Sequence, residues 1–239
     1  MPTDVILPAI VSELNQAGVS NNHIELLVAL DTHRPMSAEE MEQKFGRSVC
    51  ETFAIRMHQW NREDELQYLG TTESGTEIHV NSHLLEADLA IGVGQIVPHR
   101  VAGFSGGAKI VQLGICGAVT TGQTHWLSAK FTGEEIMGNI NNPVRKEINQ
   151  VGLKTNLKFV VNAVMNLEDE IVEVVCGGPN AAYQAGANLS RSIFGVEIPA
   201  KADIVVTDSY PADLEMGQAS KRIYAADLAV KDGGIIVMV

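Results

Sequence analysis

The segment GFSGGAK gathers three glycines, a serine and a lysine. Glycine adopts positive φ and allows close backbone approach, so we expect neighbouring N–H groups to form an anion-binding nest, with the serine hydroxyl as another donor. The lysine amine either neutralises a phosphate or forms a covalent bond, and a tight turn with a solvated lysine is the structural alternative. Without a Walker motif, one phosphate suits the segment better than a triphosphate. The residues predicted to hold the anion are Gly103, Ser105, Gly106, Gly107 and Lys109.

Three of the seven histidines stand near the ends of predicted strands, namely His33, His99 and His125. Ligands of an open α/β sheet bind outside the carboxyl ends of its strands, so His33 and His99 are expected to project into one crevice. Three neutral imidazoles suit either a zinc site or a division into one metal ligand and two acid/base groups. Their spacing does not decide between these. The other histidines are expected to be structural, with His58 packed or capping a helix.

Strand-like segments alternate with helix-like segments along the chain. Apolar runs such as IELLVAL and LAIGVGQIV indicate strands, and Ser37 followed by Glu40 is typical of a capping box that begins a helix. This alternation predicts an α/β fold, a doubly wound and mostly parallel sheet with helices on both faces. We expect an N-terminal domain over 1–196 and the beginning of a second α/β domain over 197–239. The chain opens in a helix and closes on an apolar strand, so we expect a fragment whose first strand is missing.

The composition favours small-molecule partners. The 239 residues carry a formal net charge of −12, which argues against a nucleic-acid surface or an anionic membrane surface. Three scattered cysteines form neither a disulfide framework nor a metal knuckle. No signal peptide and no apolar run of about 18 residues occurs, so we expect a cytoplasmic protein. The oligomeric state is not indicated.

Longer stretches resemble one known family. The segments LVALDTHRPMSAEEMEQKFG, VPHRVAGFSGGAK and TGQTHW are similar to the nickel-dependent lactate racemase family, whose members carry a nickel-pincer nucleotide. The pattern PHxxAGFSGGxK is highly specific, and the similarity covers nearly the whole chain. The intervals between His33, His99, Lys109 and His125 also agree with the family.

The resemblance implies a cofactor site. Lys109 would form a covalent thioamide to the nickel-pincer nucleotide, a pyridinium thioamide/thiocarboxylate mononucleotide. His125 would ligate the nickel, for which imidazole and sulfur are suitable donors. The glycine-rich segment would hold the single phosphate of this cofactor.

The resemblance also implies an isomerase, a racemase or epimerase of lactate or a related 2-hydroxy acid that acts by reversible hydride transfer to the nickel-pincer nucleotide. His33 and His99 would be the paired acid/base groups, since racemisation must serve both faces of a planar 2-keto acid. An ordinary pKa of about 6.5 suits histidine to both directions near neutral pH. Gln218 and Lys221 would lie near the substrate.

Some features depart from the family pattern. The family's N-terminal aspartate and arginine, which grip the substrate, have no counterpart here, and Asp31 stands before His33 where relatives have a small or apolar residue. Two alternatives therefore stay open. One is a non-catalytic fragment or anion-binding module of the same fold, and the other is a zinc hydrolase that uses His33, His99 and His125.

Overall fold

The protein has an α/β architecture in the computed structural model, which describes residues 1–210, 216–219 and 221–239. This confirms the predicted class. No helix in these ranges is long and apolar enough to cross a membrane.

The helices are α1 (Thr3–Gln16), α2 (Ala38–Phe45), α3 (Arg47–Thr52), α4 (Ser82–Glu86), α5 (Ala118–Ser128), α6 (Gly133–Ile136), α7 (Pro143–Leu153), α8 (Pro179–Phe194), α9 (Met216–Ala219) and α10 (Lys221–Ala229). The strands are β1 (Glu25–Val28), β2 (Ala54–Met57), β3 (Leu66–Thr71), β4 (Glu77–Asn81), β5 (Ala90–Gln95), β6 (Pro98–His99), β7 (Gly103–Phe104), β8 (Leu157–Met165), β9 (Ile171–Gly177), β10 (Ala202–Thr207) and β11 (Val230–Met238).

The described strands pair in five small groups. The pairs β1–β2, β5–β8 and β10–β11 are parallel, as the alternation of strands and helices predicts. Strand β9 joins β8 in antiparallel orientation, and β3–β4 and β6–β7 are antiparallel hairpins. Parallel pairing therefore dominates between distant segments, and antiparallel pairing joins neighbouring ones.

The three-stranded sheet β5–β8–β9 carries helices on both faces, as predicted. Successive side chains of a strand point to opposite faces. On one face, Val160 of β8 belongs to a buried cluster that includes Tyr183 of α8. On the other face, Val161 and Ala163 pack with Ile6 of α1. The sheet is thus a rigid platform from which the loop after β5 extends.

Helix α7 is tied to the segment that precedes the glycine-rich loop. Asn142 caps this helix, because its side-chain oxygen accepts the N–H of Arg145 at 2.8 Å. The Asn142 amide nitrogen donates to the carbonyl of Ala102 at 3.2 Å. The apolar side of α7 is buried through Val144 and Ile148. One buried asparagine therefore fixes the position of α7 against the loop.

Candidate active site

The glycine-rich loop is closely packed on its glycine side. Gly103, Gly106 and Gly107 have φ values of 78°, 81° and 57°. A Cβ on Gly103 would overlap the carbonyl oxygen of Asn139, and one on Gly107 would lie 2.9 Å from the carbonyl oxygen of Pro179. Each position therefore requires glycine both for its backbone conformation and for the absence of a side chain.

Several polar groups of the loop already have partners within the protein. The Ser105 N–H donates to the carbonyl of Val97 at 2.9 Å, and its hydroxyl donates to the carbonyl of Gln95 at 2.7 Å. The Gly107 N–H donates to the side-chain oxygen of Asn162 at 2.9 Å. A phosphate would have to displace these bonds to use the same donors, and phosphate binding by this loop stays a prediction.

Arg145 is a functional candidate that no motif indicated. It is 2% exposed, and its guanidinium donates to the carbonyls of Phe104 and Gly106, the latter at 3.2 Å. The guanidinium also lies 3.8 Å over the ring of Tyr183. Burial lowers the pKa of Arg145 to about 10. The loop is therefore built over a buried positive charge.

Lys109 ends the loop in the short 3₁₀ turn Gly107–Ile110. Burial lowers the pKa of its amine to about 8, and the positive charges of Arg145 and Lys221 act in the same direction. The negative charge of Asp31 opposes them by raising this pKa. On the order of a tenth of the amine is then unprotonated at pH 7, which makes Lys109 a nucleophile near neutral pH.

His99 is held as a neutral ring. Its Nδ1 accepts the backbone N–H groups of Val101 at 3.2 Å and Ala102 at 3.3 Å, so the proton of the neutral ring is on Nε2. Burial lowers the pKa of His99 well below its ordinary value, and the positive charges of Lys109 and Lys221 lower it further. His99 thus offers an N–H donor at neutral pH.

His125 presents the opposite ring nitrogen. It lies on α5, and its Nδ1 donates to the carbonyl of Thr121 at 2.9 Å, which leaves the Nε2 lone pair free to bind a metal. A hydrogen bond from Gln112 to Thr124 joins α5 to the segment after the glycine-rich loop. The ring is therefore oriented by its own helix, which is anchored near Lys109.

The loop after β1 carries His33 and Asp31. The His33 ring is exposed, and no hydrogen bond or ion pair joins it to His99 or Lys109 in the described ranges. Asp31 has a φ of 56°, and its N–H donates to the carbonyl of Gly114 at 2.9 Å. The structure thus ties Asp31 to the segment just after the glycine-rich loop, and it leaves the His33 ring exposed to solvent.

The predicted substrate-binding pair is only partly described. Lys221 is exposed at the start of α10, and its charge acts on His99. Gln218 belongs to α9, and its side chain lies outside the described residues. Arg100, which follows His99, donates to the hydroxyl of Tyr224 at 2.8 Å and so ties α10 to this part of the site.

A three-histidine zinc site is not formed in the described part of the chain, where no three His, Cys, Asp or Glu side chains are grouped to hold a metal ion. His33 is exposed, and the His125 ring is bonded to its own helix. His58 is fully buried and donates from Nε2 to the carbonyl of Cys116 at 2.9 Å, which is the structural role expected for it. The zinc-hydrolase alternative therefore has no support in the geometry.

A groove of about 610 Å³ lies between α1 and α3. It is lined by residues such as Leu7, Val11 and Val49, and by none of the predicted site residues. Volume alone therefore does not identify the site in this protein. The candidate site is instead marked by the grouped positive charge around Lys109 and His99, and its assignment stays a prediction.

Two curated proteins match along the whole chain. It is 30% identical to the lactate racemase of Thermoanaerobacterium thermosaccharolyticum over 243 residues, which covers 100% of this chain and 56% of that protein. It is also 30% identical to the lactate racemase of Lactiplantibacillus plantarum over 247 residues, which covers 100% of this chain and 57% of that protein. The chain therefore spans about half the length of the curated relatives it matches.

Solved structures agree with these relatives. The lactate racemase apoprotein from T. thermosaccharolyticum superposes with a TM-score of 0.87 and 30% identity, over 99% of this chain and 57% of that one. A crystal structure of a Thermotoga maritima protein gives a TM-score of 0.74 and 27% identity, over 86% of this chain and 55% of that one. The family model described as the lactate racemase N-terminal domain matches residues 1–138. This chain therefore belongs to the lactate racemase family, through its N-terminal domain.

Proposed function

We propose that this chain provides the cofactor-attachment and proton-transfer part of a 2-hydroxy-acid racemase or epimerase, with lactate as the first candidate substrate. One observation carries the proposal. Lys109, with a pKa lowered to about 8, lies in a group of positive charges that also surrounds the neutral His99. Family membership supports the isomerase class. The positive charges favour a small carboxylate as the substrate.

The residues present fit a nickel-pincer nucleotide. Lys109 offers a partly unprotonated amine for a covalent link, and His125 offers Nε2 as a nickel ligand because its Nδ1 is bonded to Thr121. The positive charges of Arg145 and Lys221 suit an anionic group. When bound, this cofactor supplies an electrophilic carbon that accepts hydride, which avoids a carbanion beside the substrate carboxylate.

The chain's own histidines handle the hydroxyl proton. The two enantiomers present their hydroxyls to opposite sides, so a proton-transfer group is needed on each side, and we assign these roles to His33 and His99. With its proton on Nε2, His99 donates a hydrogen bond from Nε2 to the substrate oxygen. To accept a proton there, its Nδ1 must first release the N–H groups of Val101 and Ala102.

The substrate carboxylate is assigned to Lys221 and Gln218. A lysine ammonium supplies a charge and a glutamine amide supplies a directed N–H donor, and together they fix the orientation of a small anion. Holding two reacting groups in the correct orientation accounts for a large part of the rate increase of an enzyme over the reaction in solution.

Attachment at Lys109 is tested by producing the chain together with the enzymes that make the cofactor and measuring intact mass and nickel content. We expect an adduct on Lys109, no adduct in Lys109→Arg, and an adduct with little retained nickel in His125→Ala. Racemisation of single enantiomers of lactate and other 2-hydroxy acids is measured on the same samples, where His33→Ala and His99→Ala should keep the adduct and lose about 10²–10⁴-fold in rate.

Two results would count against the proposal. An unmodified chain without nickel would favour the alternative of an anion-binding module. Loss of the adduct in His33→Ala or His99→Ala would show that these residues hold the cofactor rather than transfer protons.

A further inference from the structure

Two charged residues that take no part in the proposed proton transfer contact the loop that carries Lys109 or the segment just after it. Arg145 approaches from α7, and Asp31 approaches from the loop after β1. Their charges are opposite, and both act on the Lys109 amine.

Arg145 holds the loop by its carbonyl groups. The carbonyl of Gly106 accepts both the Arg145 guanidinium at 3.2 Å and the backbone N–H of Lys109 at 3.3 Å. The Nε of Arg145 is buried without a hydrogen-bond partner, and within the described ranges no carboxylate pairs with this side chain. Among the described residues this guanidinium therefore has no counter-ion, and its positive charge lowers the pKa of both Lys109 and His99.

Asp31 is linked to the same loop through the backbone. Its N–H donates to the carbonyl of Gly114 at 2.9 Å, and the Gly114 N–H donates to the carbonyl of Lys109 at 3.4 Å. The left-handed φ of Asp31 suits aspartate better than most residues, and one of its carboxylate oxygens accepts the Thr32 N–H at 2.8 Å. The backbone of Asp31 is therefore tied to the Lys109 turn through Gly114, and the Asp31 carboxylate acts on the Lys109 amine.

We propose that Arg145 and Asp31 are positioning residues for Lys109, which hold its loop from two different elements and balance the charge on its amine so that it reacts as a nucleophile near neutral pH. Among the described residues, the charged groups that act on this amine are Arg145, Lys221 and Asp31, with the neutral His99 in the same group. Burial, Arg145 and Lys221 favour the free amine by lowering the Lys109 pKa. Asp31 favours the ammonium by raising it.

The proposal predicts that the two residues have opposite effects on the protonation of the Lys109 amine. These effects can be measured on the full chain without cofactor. Lys109 is labelled with a trace of acetic anhydride at a series of pH values, and its acetylation is quantified by peptide mass spectrometry. In this reaction the amine nitrogen bonds to the acyl carbon, acetate leaves and the amine proton goes to water. Only the free amine reacts, so the midpoint of the profile reports its protonation.

For Asp31→Asn we expect a midpoint at lower pH and, for a shift of about half a unit, a roughly threefold faster reaction below the midpoint. Asp31→Gly removes the same charge and tolerates the positive φ, so its acetylation profile should match that of Asp31→Asn. Asp31→Glu keeps the charge and should give the wild-type profile. The matched control is Asp169→Asn, because Asp169 also has a positive φ, 61°, but lies in the exposed turn after β8. This control should leave the profile unchanged.

For Arg145→Gln we expect a midpoint at higher pH, whereas Arg145→Lys keeps the charge and should stay near the wild-type midpoint. A purely structural Arg145 would lower the melting temperature in both variants without moving the midpoint, and that result would overturn its part of the proposal. If Arg145→Gln does not fold, the Asp31 series decides alone. An Asp31→Asn midpoint equal to that of the wild type, or shifted equally by Asp169→Asn, would overturn the proposal.

That this charge balance serves covalent attachment of the cofactor at Lys109 rests on the proposed function. The labelling experiment does not require the cofactor, so the two can fail separately. Suppose that the chain never takes up cofactor, but that the labelling midpoint falls in Asp31→Asn and rises in Arg145→Gln, as predicted. That result would refute the proposed function and support the charge balance.

Discussion

At the residue scale, three histidines of the chain differ in which ring nitrogen holds the proton. His99 and His58 carry it on Nε2, and the His58 Nε2 donates to the carbonyl of Cys116. His125 carries it on Nδ1, which donates to the carbonyl of Thr121. Of these three rings, His99 therefore offers an Nε2–H donor to a ligand, His125 offers the Nε2 lone pair as a metal ligand, and the His58 ring is fully buried with both ring nitrogens bonded inside the protein.

These tautomers are directly measurable in the chain labelled with ¹⁵N-histidine and free of cofactor. We expect His99 and His58 to show the Nε2–H tautomer near neutral pH, and burial lowers the pKa of both, that of His99 well below its ordinary value. His125 should show the Nδ1–H tautomer. Signals are assigned with single His→Gln variants. A protonated His99 at about pH 6.5, or one with its proton on Nδ1, would contradict the geometry described for the site.

Lys109 and its loop were identifiable from the sequence because the pattern is local, whereas Arg145 was not. Its partners are backbone carbonyls of Phe104 and Gly106, and no side-chain pattern reveals such partners. The one available signal is the place of Arg145 between Val144 and Ile148 on the apolar side of a helix. A charged residue in that position is rarely buried without a specific role.

At the element scale, the glycine-rich loop fits against α8. A Cβ on Gly107 would lie 2.9 Å from both the carbonyl oxygen of Pro179 and the Cβ of Tyr183. Gly138 has a similar φ of 70°, but a Cβ there would have no atom within 4 Å. The two glycines thus separate the cost of a positive φ from the cost of crowding.

Alanine at these two positions should differ in its effect on folding stability. Gly138→Ala should lower the free energy of unfolding by about 1–2 kcal/mol, which is the cost of a left-handed non-glycine residue. Gly107→Ala should lose a further 1–3 kcal/mol or so, because the added methyl crowds a packed interior. Urea denaturation of both variants measures the difference. Equal losses would show that the loop can move away from α8 at little cost.

The sequence predicted the type of most elements but not the width of the sheets. The run IELLVAL was expected to be a strand, and it forms β1, which pairs with β2 and with no other strand of the described residues. Glu25 of this strand is exposed. An apolar run reports that a strand is suitable for burial, but the number of neighbouring strands depends on contacts between distant segments. The same limit explains why the antiparallel β9 could not be distinguished from a parallel strand.

At the scale of the whole molecule, the apolar clusters lie within the predicted N-terminal domain. Among the described residues, none of the four clusters contains a member beyond Ile193. Polar contacts connect the segment 197–239 to the rest, including the Arg100–Tyr224 hydrogen bond and an exposed ion pair between Lys201 and Glu134. This distribution is consistent with the predicted boundary near residue 196, which stays a prediction.

A fragment of residues 1–196 tests that boundary. Because it keeps all four apolar clusters of the described residues, we expect it to unfold in a single cooperative transition, with the circular dichroism of a helical protein. The full chain serves as the reference under the same conditions. A gradual transition, or a fragment that binds a hydrophobic dye strongly, would show that the segment 197–239 belongs to the same folding unit.

The close packing of Gly103, Gly106 and Gly107 has an evolutionary consequence. Natural selection for folding alone would retain these glycines in a descendant that had lost turnover. A genome survey that counts only the glycine pattern would therefore register pseudoenzymes together with active members. Survival of Lys109, His99 and His125 at the matching positions is the stricter criterion, since folding places fewer demands on those side chains.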